Sequence, residues 1–454
     1  MQHLELLISL PSSLSCIVLR DWLSLKSVMA LDSAYCNYSH RKVIADLLKS
    51  NEYWIREQVT ISGNYVLSLL KRFGQKIRRI EFVERVSQNQ ENLVKAYCYD
   101  LKHVRCFGEM TCTPALWSLL RAYPTIESLT LRKKPQQFME HFFSPPLLRP
   151  AYNLLLPKLS TLVITGFEIT DENLFVDMPI DKLVRLDLSG CRVAGTVFSQ
   201  IARACPELRA LTLSNVFVPY INFNPIIDQT LSEFTRICTH IVQLDISDSL
   251  YITDAGILSV VQNLTGLQRL NITNISQLTE NSLEHIYTHC HSTLQTILFN
   301  SCTYEQPSFC AQAVNTFLER CTKLRTVYFG DHSKVRPKTS MLSPAAICNL
   351  THLAISGRVA TEQNLITISS YGVNLEVLIV DEYIKYTREM LSSLVSGCPK
   401  LKELHYCLEH KDKAFIPMFW TPSFWMKRRP GLLITEGNCE GNKWHDVRTK
   451  FMGL

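Results

Sequence analysis

The sequence predicts an α/β solenoid with a small helical module ahead of it. Two observations lead to this fold class. A short apolar pattern recurs at near-constant spacing along most of the 454 residues, and the segment after each recurrence has the apolar spacing of a helix. A unit of one strand and one helix cannot bury its apolar side chains alone, so such units stack on one another. Because parallel crossovers are right-handed, we expect a right-handed horseshoe with parallel strands on the concave side and helices on the convex side.

The repeated pattern is apolar-x-x-apolar-x-apolar. We number the first apolar residue 1, so the apolar residues stand at positions 1, 4 and 6, and we continue the numbering to position 8. Nine of its twelve steps span 24 to 27 residues, and the other three span 30 or 33. The thirteen matches begin at Ile77, Leu101, Ile126, Leu159, Leu183, Leu208, Ile241, Leu267, Leu294, Leu324, Leu350, Leu375 and Leu401. Leucine-rich repeats have periods of roughly 20–29 residues, and we interpret the longer steps as insertions. The pattern therefore predicts a leucine-rich-repeat solenoid of about 13 repeats over residues 76–408, after a helical module at 1–75 and before a cap and tail at 409–454.

The helical half of several repeats opens with Thr and an acidic residue. Thr253-Asp254, Thr279-Glu280 and Thr361-Glu362 are three such starts, and Thr170-Asp171 is a fourth. A Thr side chain at this position can accept a hydrogen bond from a free amide of the first turn. The carboxylate after it suits the positive end of the helix dipole. Each repeat is therefore predicted to be a strand, a turn and a capped helix.

Composition narrows the classes of partner. The 47 basic and 41 acidic residues leave a net charge of +6, which is too even for a nucleic-acid binder with a concentrated basic face. No apolar run reaches the roughly 18–20 residues of a membrane span. None of the sixteen cysteines forms a CxxC pair, and several stand at repeat boundaries, which indicates reduced thiols in the cytoplasm, the nucleus or both. We expect neither nucleic acid nor membrane as a partner, and a monomer outside its complex.

The repeat boundaries resemble a known family. Several helices end in Cys shortly before the next strand, as in Cys205-Pro-Glu-Leu208 and Cys398-Pro-Lys-Leu401. Together with the Thr-acid helix starts, this resembles the cysteine-containing repeats of F-box/leucine-rich-repeat proteins. The segment at about 10–40 looks like an F-box, and the matching residues are Leu10, Pro11, Ile17, Trp22, Leu25 and Val28.

That resemblance implies a function. Residues 10–36 would bind a Skp1-type adaptor, the concave sheet would hold a protein substrate, and the chain would be the substrate-recognition subunit of an SCF-type (cullin-RING) ubiquitin ligase. Two alternatives remain open. The N-terminal module could be a helical cap that covers the first repeat, because open solenoid ends need covering. The chain could then be a free-standing interaction scaffold or sensor with no ubiquitin role.

The sequence contains no recognisable catalytic motif. A Gly-rich phosphate loop, Gly-x-Ser-x-Gly and HExxH are all absent. The best metal candidate is the group His285, His289, Cys290 and His291, but zinc needs four directed ligands, and Cys290 also stands at a repeat boundary. We therefore expect no enzyme activity, no cofactor and no metal site.

Positions 3, 5 and 7 of each repeat should point away from the helices, towards solvent on the concave side. We predict that the partner-binding residues on this face are Arg105, Arg132, Arg185, Asp187, Asp245, Arg269, Leu298, Tyr328, Val377 and Ile379. The later members of this set are apolar, and exposed apolar clusters tend to mark protein contacts. This change in character favours a protein partner at the late repeats.

Overall fold

A computed structural model describes residues 14–15, 46–47, 55, 58–61, 66–84, 86–108, 113–133, 155–169, 180–193, 195–216, 227–301, 309–331, 342–357, 359–383, 388–407, 431–437 and 452. The chain divides into two compact units, Met1–Arg192 and Val193–Leu454. In each unit, parallel strands alternate with helices, which is the predicted leucine-rich-repeat solenoid.

The first unit has a parallel sheet in which successive repeats lie side by side. Its described strands are β1 (Val59–Thr60), β2 (Arg79–Phe82), β3 (His103–Phe107), β4 (Ser128–Arg132), β5 (Thr161–Thr165), β6 (Glu168–Ile169) and β7 (Arg185–Asp187), with β8 (Arg192–Val193) at the unit boundary. Its described helices are α1 (Val66–Phe73), α2 (Gln88–Tyr97) and α3 (Pro114–Arg121). The sheet order is β1-β2-β3-β4-β5-β7, and every neighbouring pair is parallel.

The second unit continues the same strand and helix alternation. Its described strands are β9 (Ala210–Thr212), β10 (Gln243–Asp245), β11 (Arg269–Asn271), β12 (Thr296–Ser301), β13 (Thr326–Asp331), β14 (His352–Gly357), β15 (Val377–Tyr383), β16 (Glu403–Cys407) and β17 (Leu433–Gly437). Its described helices are α4 (Gly195–Ala204), α5 (Asp228–Ile237), α6 (Asp254–Asn263), α7 (Glu280–Cys290), α8 (Ala311–Arg320), α9 (Pro344–Ile347), α10 (Glu362–Tyr371) and α11 (Arg388–Gly397). These nine described strands pair in chain order, and all of their pairs are parallel.

The core consists of the apolar positions of the repeat. In the repeat that begins at Leu267, the side chains at positions 1, 4 and 6 are Leu267, Leu270 and Ile272, and all three are buried. Equivalent positions pair across the sheet, since Leu244 lies opposite Leu270 and Leu270 opposite Ile297. A strand places alternate side chains on opposite faces, so positions 4 and 6 face the helices, and positions 3 and 5 lie on what we call the open face of the sheet.

A left-handed backbone residue follows many of the strands at position 8. Glycine stands there with a positive φ in four repeats, at Gly108, Gly166, Gly190 and Gly357. Asn215, Asp248 and Asn274 hold the same position with φ between 52° and 60°. Glycine has no Cβ to clash in this region, and Asn and Asp tolerate it better than other residues. In these seven repeats the left-handed residue after the strand is Gly, Asn or Asp, whereas other repeats have residues such as Glu84 and Lys133 at position 8.

The predicted helix caps are confirmed at three of the four starts. The side chains of Thr253, Thr279 and Thr361 each accept a hydrogen bond from a first-turn amide. The fourth start, at Thr170, lies outside the described residues. Thr caps of this kind stabilise a helix by about 1 kcal/mol each.

The first-turn acid of a helix also binds the start of the next helix. The carboxylate of Asp228 accepts from the backbone amide of Thr253 at 2.9 Å and from its hydroxyl at 2.5 Å. Asp254 makes the same two contacts with Thr279, at 2.9 and 2.5 Å. Glu280 continues the series by accepting from the Cys310 amide at 3.0 Å. We call this series the carboxylate ladder, because it joins each repeat to the next through the helix starts.

Strands β1 and β17 extend the sheet beyond the thirteen matches. In β1, Val59 pairs with Ile80, whereas Ile55 bridges to Ile77. The two apolar residues are therefore four apart instead of three, and the pattern does not detect them. In β17 the register places Glu436 opposite Tyr406, so a charged residue occupies an apolar position.

The cysteines at the repeat boundaries are buried and form no disulfide bond, as predicted. The set is Cys205, Cys238, Cys321 and Cys398. The Cys238 sulfur donates to the carbonyl oxygens of Ala202 and Cys205 in the preceding repeat, at 3.4 Å each. These side chains therefore help to pack neighbouring repeats against each other.

Candidate functional site

The open face of the second unit carries one continuous row of position-5 side chains. The pairing register aligns them from strand to strand as Thr212, Asp245, Asn271, Leu298, Tyr328, Ala354, Ile379 and His405. The row is polar over β9 to β11 and apolar over β12 to β15. It brings together all four of the late apolar residues predicted from sequence, because Val377 stands at position 3 of the same strand as Ile379.

Side chains in the polar part of the row form hydrogen bonds with nearby residues of the chain instead of facing solvent. Asp245 is fully buried, and its carboxylate accepts from the Ser247 amide at 3.1 Å, the Ser247 hydroxyl at 2.8 Å and the Asn271 side-chain amide at 2.9 Å. In the first unit, Asp187 binds the amide and hydroxyl of Ser189 in the same way, at 2.9 and 2.5 Å. The prediction that Asp187 and Asp245 face solvent is therefore wrong, because each carboxylate caps the turn that follows its own strand.

The late apolar residues are also buried, which corrects the prediction that they face solvent. The exposed fraction of these side chains is between 0 and 7%, and they form one cluster with Met452, which is 0% exposed. The cluster consists of Met452 with Leu298, Tyr328, Ala354, Val377 and Ile379. Met452 comes from the C-terminal end of the chain and lies against the open face. We call this cluster the Met452 site. The strand pattern correctly predicted that these side chains point to the open face, but Met452, which is distant in sequence, covers them.

The backbone of Met452 is held as firmly as its side chain. Its carbonyl oxygen accepts hydrogen bonds from Nε2 of Gln243 and from Nη1 of Arg269, each at 2.9 Å. Both donors stand at position 3, and their strands pair directly, with Gln243 opposite Arg269. The Met452 site thus combines an apolar pocket with two donors for a main-chain carbonyl.

Tyr328 gives the pocket a polar edge. Its hydroxyl lies 3.1 Å from the Ser356 hydroxyl, and both residues are buried. Ser356 belongs to strand β14, which pairs with the tyrosine's strand β13. This contact satisfies the one polar group that the tyrosine brings into an otherwise apolar pocket.

The predicted arginines of the open face differ in exposure. Arg105, Arg132 and Arg269 are exposed, and Arg185 is half-buried. Arg105 and Arg132 lie on neighbouring strands β3 and β4 of the first unit. The nearby His103 has its pKa lowered by burial and, after that, by the positive charge of Arg79, so its neutral form is favoured. Arginine therefore supplies positive charge on this part of the face, where Glu81 of β2 lies opposite Arg105 in the pairing register.

The histidine and cysteine residues considered for a metal site lie in α7 or directly after it. Cys290 is buried at the end of α7, whereas His289 and His291 are exposed. His291 Nδ1 lies 3.2 Å from the Tyr287 carbonyl oxygen. Over the described residues, no group of three or more His, Cys, Asp or Glu side chains is arranged to hold a metal ion.

Burial also makes three of the boundary cysteines poor nucleophiles. It raises the pKa of the Cys238, Cys290 and Cys321 thiols to about 12. The thiolate is the reactive form of cysteine, so these side chains are unreactive near neutral pH. Their role is in packing.

Three residues of the Met452 site were missed from the sequence: Met452, Gln243 and Ala354. The last four residues, Phe451 to Leu454, contain three apolar side chains, and this was the available signal for a docking segment. Gln243 and Ala354 stand at open-face positions, but their residue types alone do not indicate a binding site. Their role follows only from their contacts with Met452. The adaptor-binding residues Leu10, Pro11, Ile17, Trp22, Leu25 and Val28 lie outside the described residues.

No helix in the described ranges has the length and apolar character needed to cross a lipid bilayer.

Comparison with known proteins yields similar structures only. No family model matches the chain, and no curated protein matches it. Among solved structures, it is similar to one described as the Rad7 and Elc1 complex in yeast, with 15% identity over 95% of this chain and 93% of that chain and a TM-score of 0.47. It is also similar to an internalin (inlF) from Listeria monocytogenes, with 15% identity over 56% of this chain and 70% of that chain and a TM-score of 0.33.

Proposed function

We propose that this chain is a protein-binding scaffold that catalyses no reaction, and that its ligand is a protein held on the open face of the second unit. The observation that carries this proposal is the run of apolar side chains at position 5 of strands β12 to β15, with Val377 beside it at position 3 of β15. Stacking of the repeats requires apolar side chains only at positions 1, 4 and 6. The apolar run on the other face instead packs against Met452, which supports the idea that this face holds a polypeptide.

The chemistry of the Met452 site favours a protein over other ligands. An apolar pocket beside donors for a main-chain carbonyl matches a polypeptide, which presents both groups at a fixed separation. Aromatic and arginine side chains carry much of the binding energy in protein interfaces, and Tyr328 and Arg269 provide one of each. The exposed Arg105 and Arg132 of the first unit add a second region suited to acidic groups.

At a finer level, we propose that the scaffold is the substrate-recognition subunit of an SCF-type ubiquitin ligase. The support is the resemblance of residues 10–40 to an F-box and of the repeats to those of F-box/leucine-rich-repeat proteins. The segment would bind a Skp1-type adaptor, and the open face would hold the substrate. The buried cysteines, which form no disulfide bond, agree with a reducing compartment such as the cytoplasm or nucleus.

The test is direct binding between the full-length chain and a purified Skp1-type adaptor. We expect a one-to-one complex in size-exclusion chromatography. The Leu10→Asp, Pro11→Ala double variant should not form it, whereas the matched Ser12→Ala, Ser13→Ala variant should bind normally. The thermal unfolding curve of each variant, which is dominated by the repeats, shows whether the solenoid is intact.

Absence of adaptor binding by the intact, folded chain would contradict the ubiquitin-ligase proposal. The chain would then be the free-standing scaffold or sensor that the same repeats allow. Adaptor binding that persists in the Leu10→Asp, Pro11→Ala variant would show that the adaptor uses another surface, and the assignment of residues 10–36 would be wrong.

A further inference from the structure

We propose that the Met452 site is a recognition pocket for a peptide with a methionine-like side chain, and that the chain's own Met452 occupies this pocket in cis. A protein ligand would use the same pocket by displacing Met452. This inference rests on the proposed protein-binding role of the open face, and it adds the chemistry of the ligand and a means of regulation.

The first argument is the shape of the contact. Met452 is completely buried. Its surroundings, Leu298, Tyr328, Ala354, Val377 and Ile379, come from four adjacent strands. Methionine is unbranched and adapts to irregular apolar pockets. The pocket therefore selects a long apolar side chain.

The second argument is the pair of hydrogen bonds to the Met452 carbonyl. Gln243 and Arg269 are separated from Met452 by 209 and 183 residues in sequence, so the contact depends on tertiary structure. A carbonyl group belongs to every residue of every polypeptide. A second peptide with a suitable side chain could make the same two bonds, and Arg269 and Gln243 would hold it as they hold Met452.

The third argument is the connection between the sheet and the pocket. Residues 438–451 join strand β17 to Met452. Fourteen residues can span at most about 50 Å when fully extended. An intramolecular ligand on a short tether has an effective concentration of the order of millimolar. The chain end therefore competes strongly with weak ligands and yields to a ligand of higher affinity.

The experiment measures binding of a peptide in trans to the full-length protein. The probe is a fluorescein-labelled peptide with the sequence of residues 445–454, titrated with the wild-type chain and with the Met452→Asp variant. A charged side chain should not enter the apolar pocket, so the variant leaves the pocket free. We expect saturable binding to the Met452→Asp chain, at least about 10-fold tighter than to the wild type, which carries its own competitor.

Two controls connect this binding to the pocket. A peptide with Asp in place of its methionine should not bind the Met452→Asp chain. Adding Arg269→Ala to that chain should weaken peptide binding several-fold, because one carbonyl donor is lost. Arg209→Ala serves as the matched control and should leave the affinity unchanged, because Arg209 is an exposed arginine of the same unit outside the pocket.

Two results would overturn the inference. The first is equal affinity of the peptide for the wild type and for the Met452→Asp chain. The second is no binding to a Met452→Asp chain whose circular dichroism and melting curve show that it is folded, which would make Met452 a fixed part of the core. If that variant does not fold, the chain ending at Lys450 replaces it with the same expected results, and its failure to fold would likewise identify Met452 as a core residue. Adaptor binding through residues 10–36 is measured separately, so loss of one activity with retention of the other shows which proposal fails.

Discussion

Replacing Asp245 by Ala should destabilise the second unit severely. The carboxylate is fully buried and accepts hydrogen bonds from the backbone amide and hydroxyl of Ser247 and from the side-chain amide of Asn271. A hydrogen bond to a charged group contributes about 1.5–3 kcal/mol, but bonds that share one acceptor group do not add fully. The alanine also leaves the donors of Ser247 and Asn271 without this acceptor. We therefore expect the free energy of unfolding to fall by about 3 kcal/mol.

The assay is thermal unfolding followed by circular dichroism. A loss of about 3 kcal/mol corresponds to a decrease in melting temperature of roughly 6–12 °C for a unit of this size. Asp245→Asn should decrease it less, because the amide oxygen can still accept from Ser247. The matched control is Glu284→Ala, which removes an exposed acidic side chain of the same unit and should change the stability by no more than about 0.5 kcal/mol.

The result that would refute this reasoning is a melting temperature for Asp245→Ala within 1–2 °C of the wild type, a change that corresponds to about 0.5 kcal/mol. The carboxylate would then be solvated, as expected from its strand position alone. Loss of ligand binding without loss of stability would assign Asp245 to the partner contact instead of the turn.

Three further outcomes test the packing of the repeats. Gly397→Ala should destabilise the chain by about 1–3 kcal/mol, because its Cβ would collide with a backbone carbonyl of the neighbouring helix. Gly266→Ala should be neutral in the same melting assay, because its Cβ would make only an ordinary contact with Val242, at 4.0 Å. Iodoacetamide at pH 8 should label the exposed Cys310 well before Cys321, whose pKa is raised to about 12 by burial; equal labelling in peptide mass spectrometry would contradict this. Asp254→Ala removes one step of the carboxylate ladder and should cost about 1–3 kcal/mol in urea unfolding, and an unchanged midpoint would show that the ladder contributes nothing.

The period of the repeat predicted the sheet because each match depends only on residues a few positions apart. Parallel pairing, the buried position-4 residues such as Leu244 and Leu270, and the Thr helix caps are all local consequences of that pattern. The left-handed residue at position 8 could have been predicted as well. Gly190, Asp248 and their equivalents supply the three residue types that this backbone conformation favours.

The pattern could not predict which open-face residues remain exposed. Arg105 and Asp245 both stand at position 5, yet the arginine is exposed and the aspartate is fully buried. The difference arises from hydrogen bonding, because Ser247 of the following turn and Asn271 of the next repeat both donate to the aspartate. The burial of Tyr328 could not be predicted either, because the residue that covers it, Met452, is distant in sequence. Five members of the site could thus be found from sequence, whereas its occupant could not.

The carboxylate ladder also makes some repeats interchangeable. Asp228 binds Thr253 through the same atoms that Asp254 uses to bind Thr279. Removal of residues 241–266 would join His240 to Leu267, an apolar position-1 residue like the Ile241 that it replaces. Asp228 would then meet Thr279, and the two helix starts would fit without any new side chain. Solenoids of this construction can lose or gain one unit by a single in-frame event, so their length can change in evolution while the joints between units stay chemically the same.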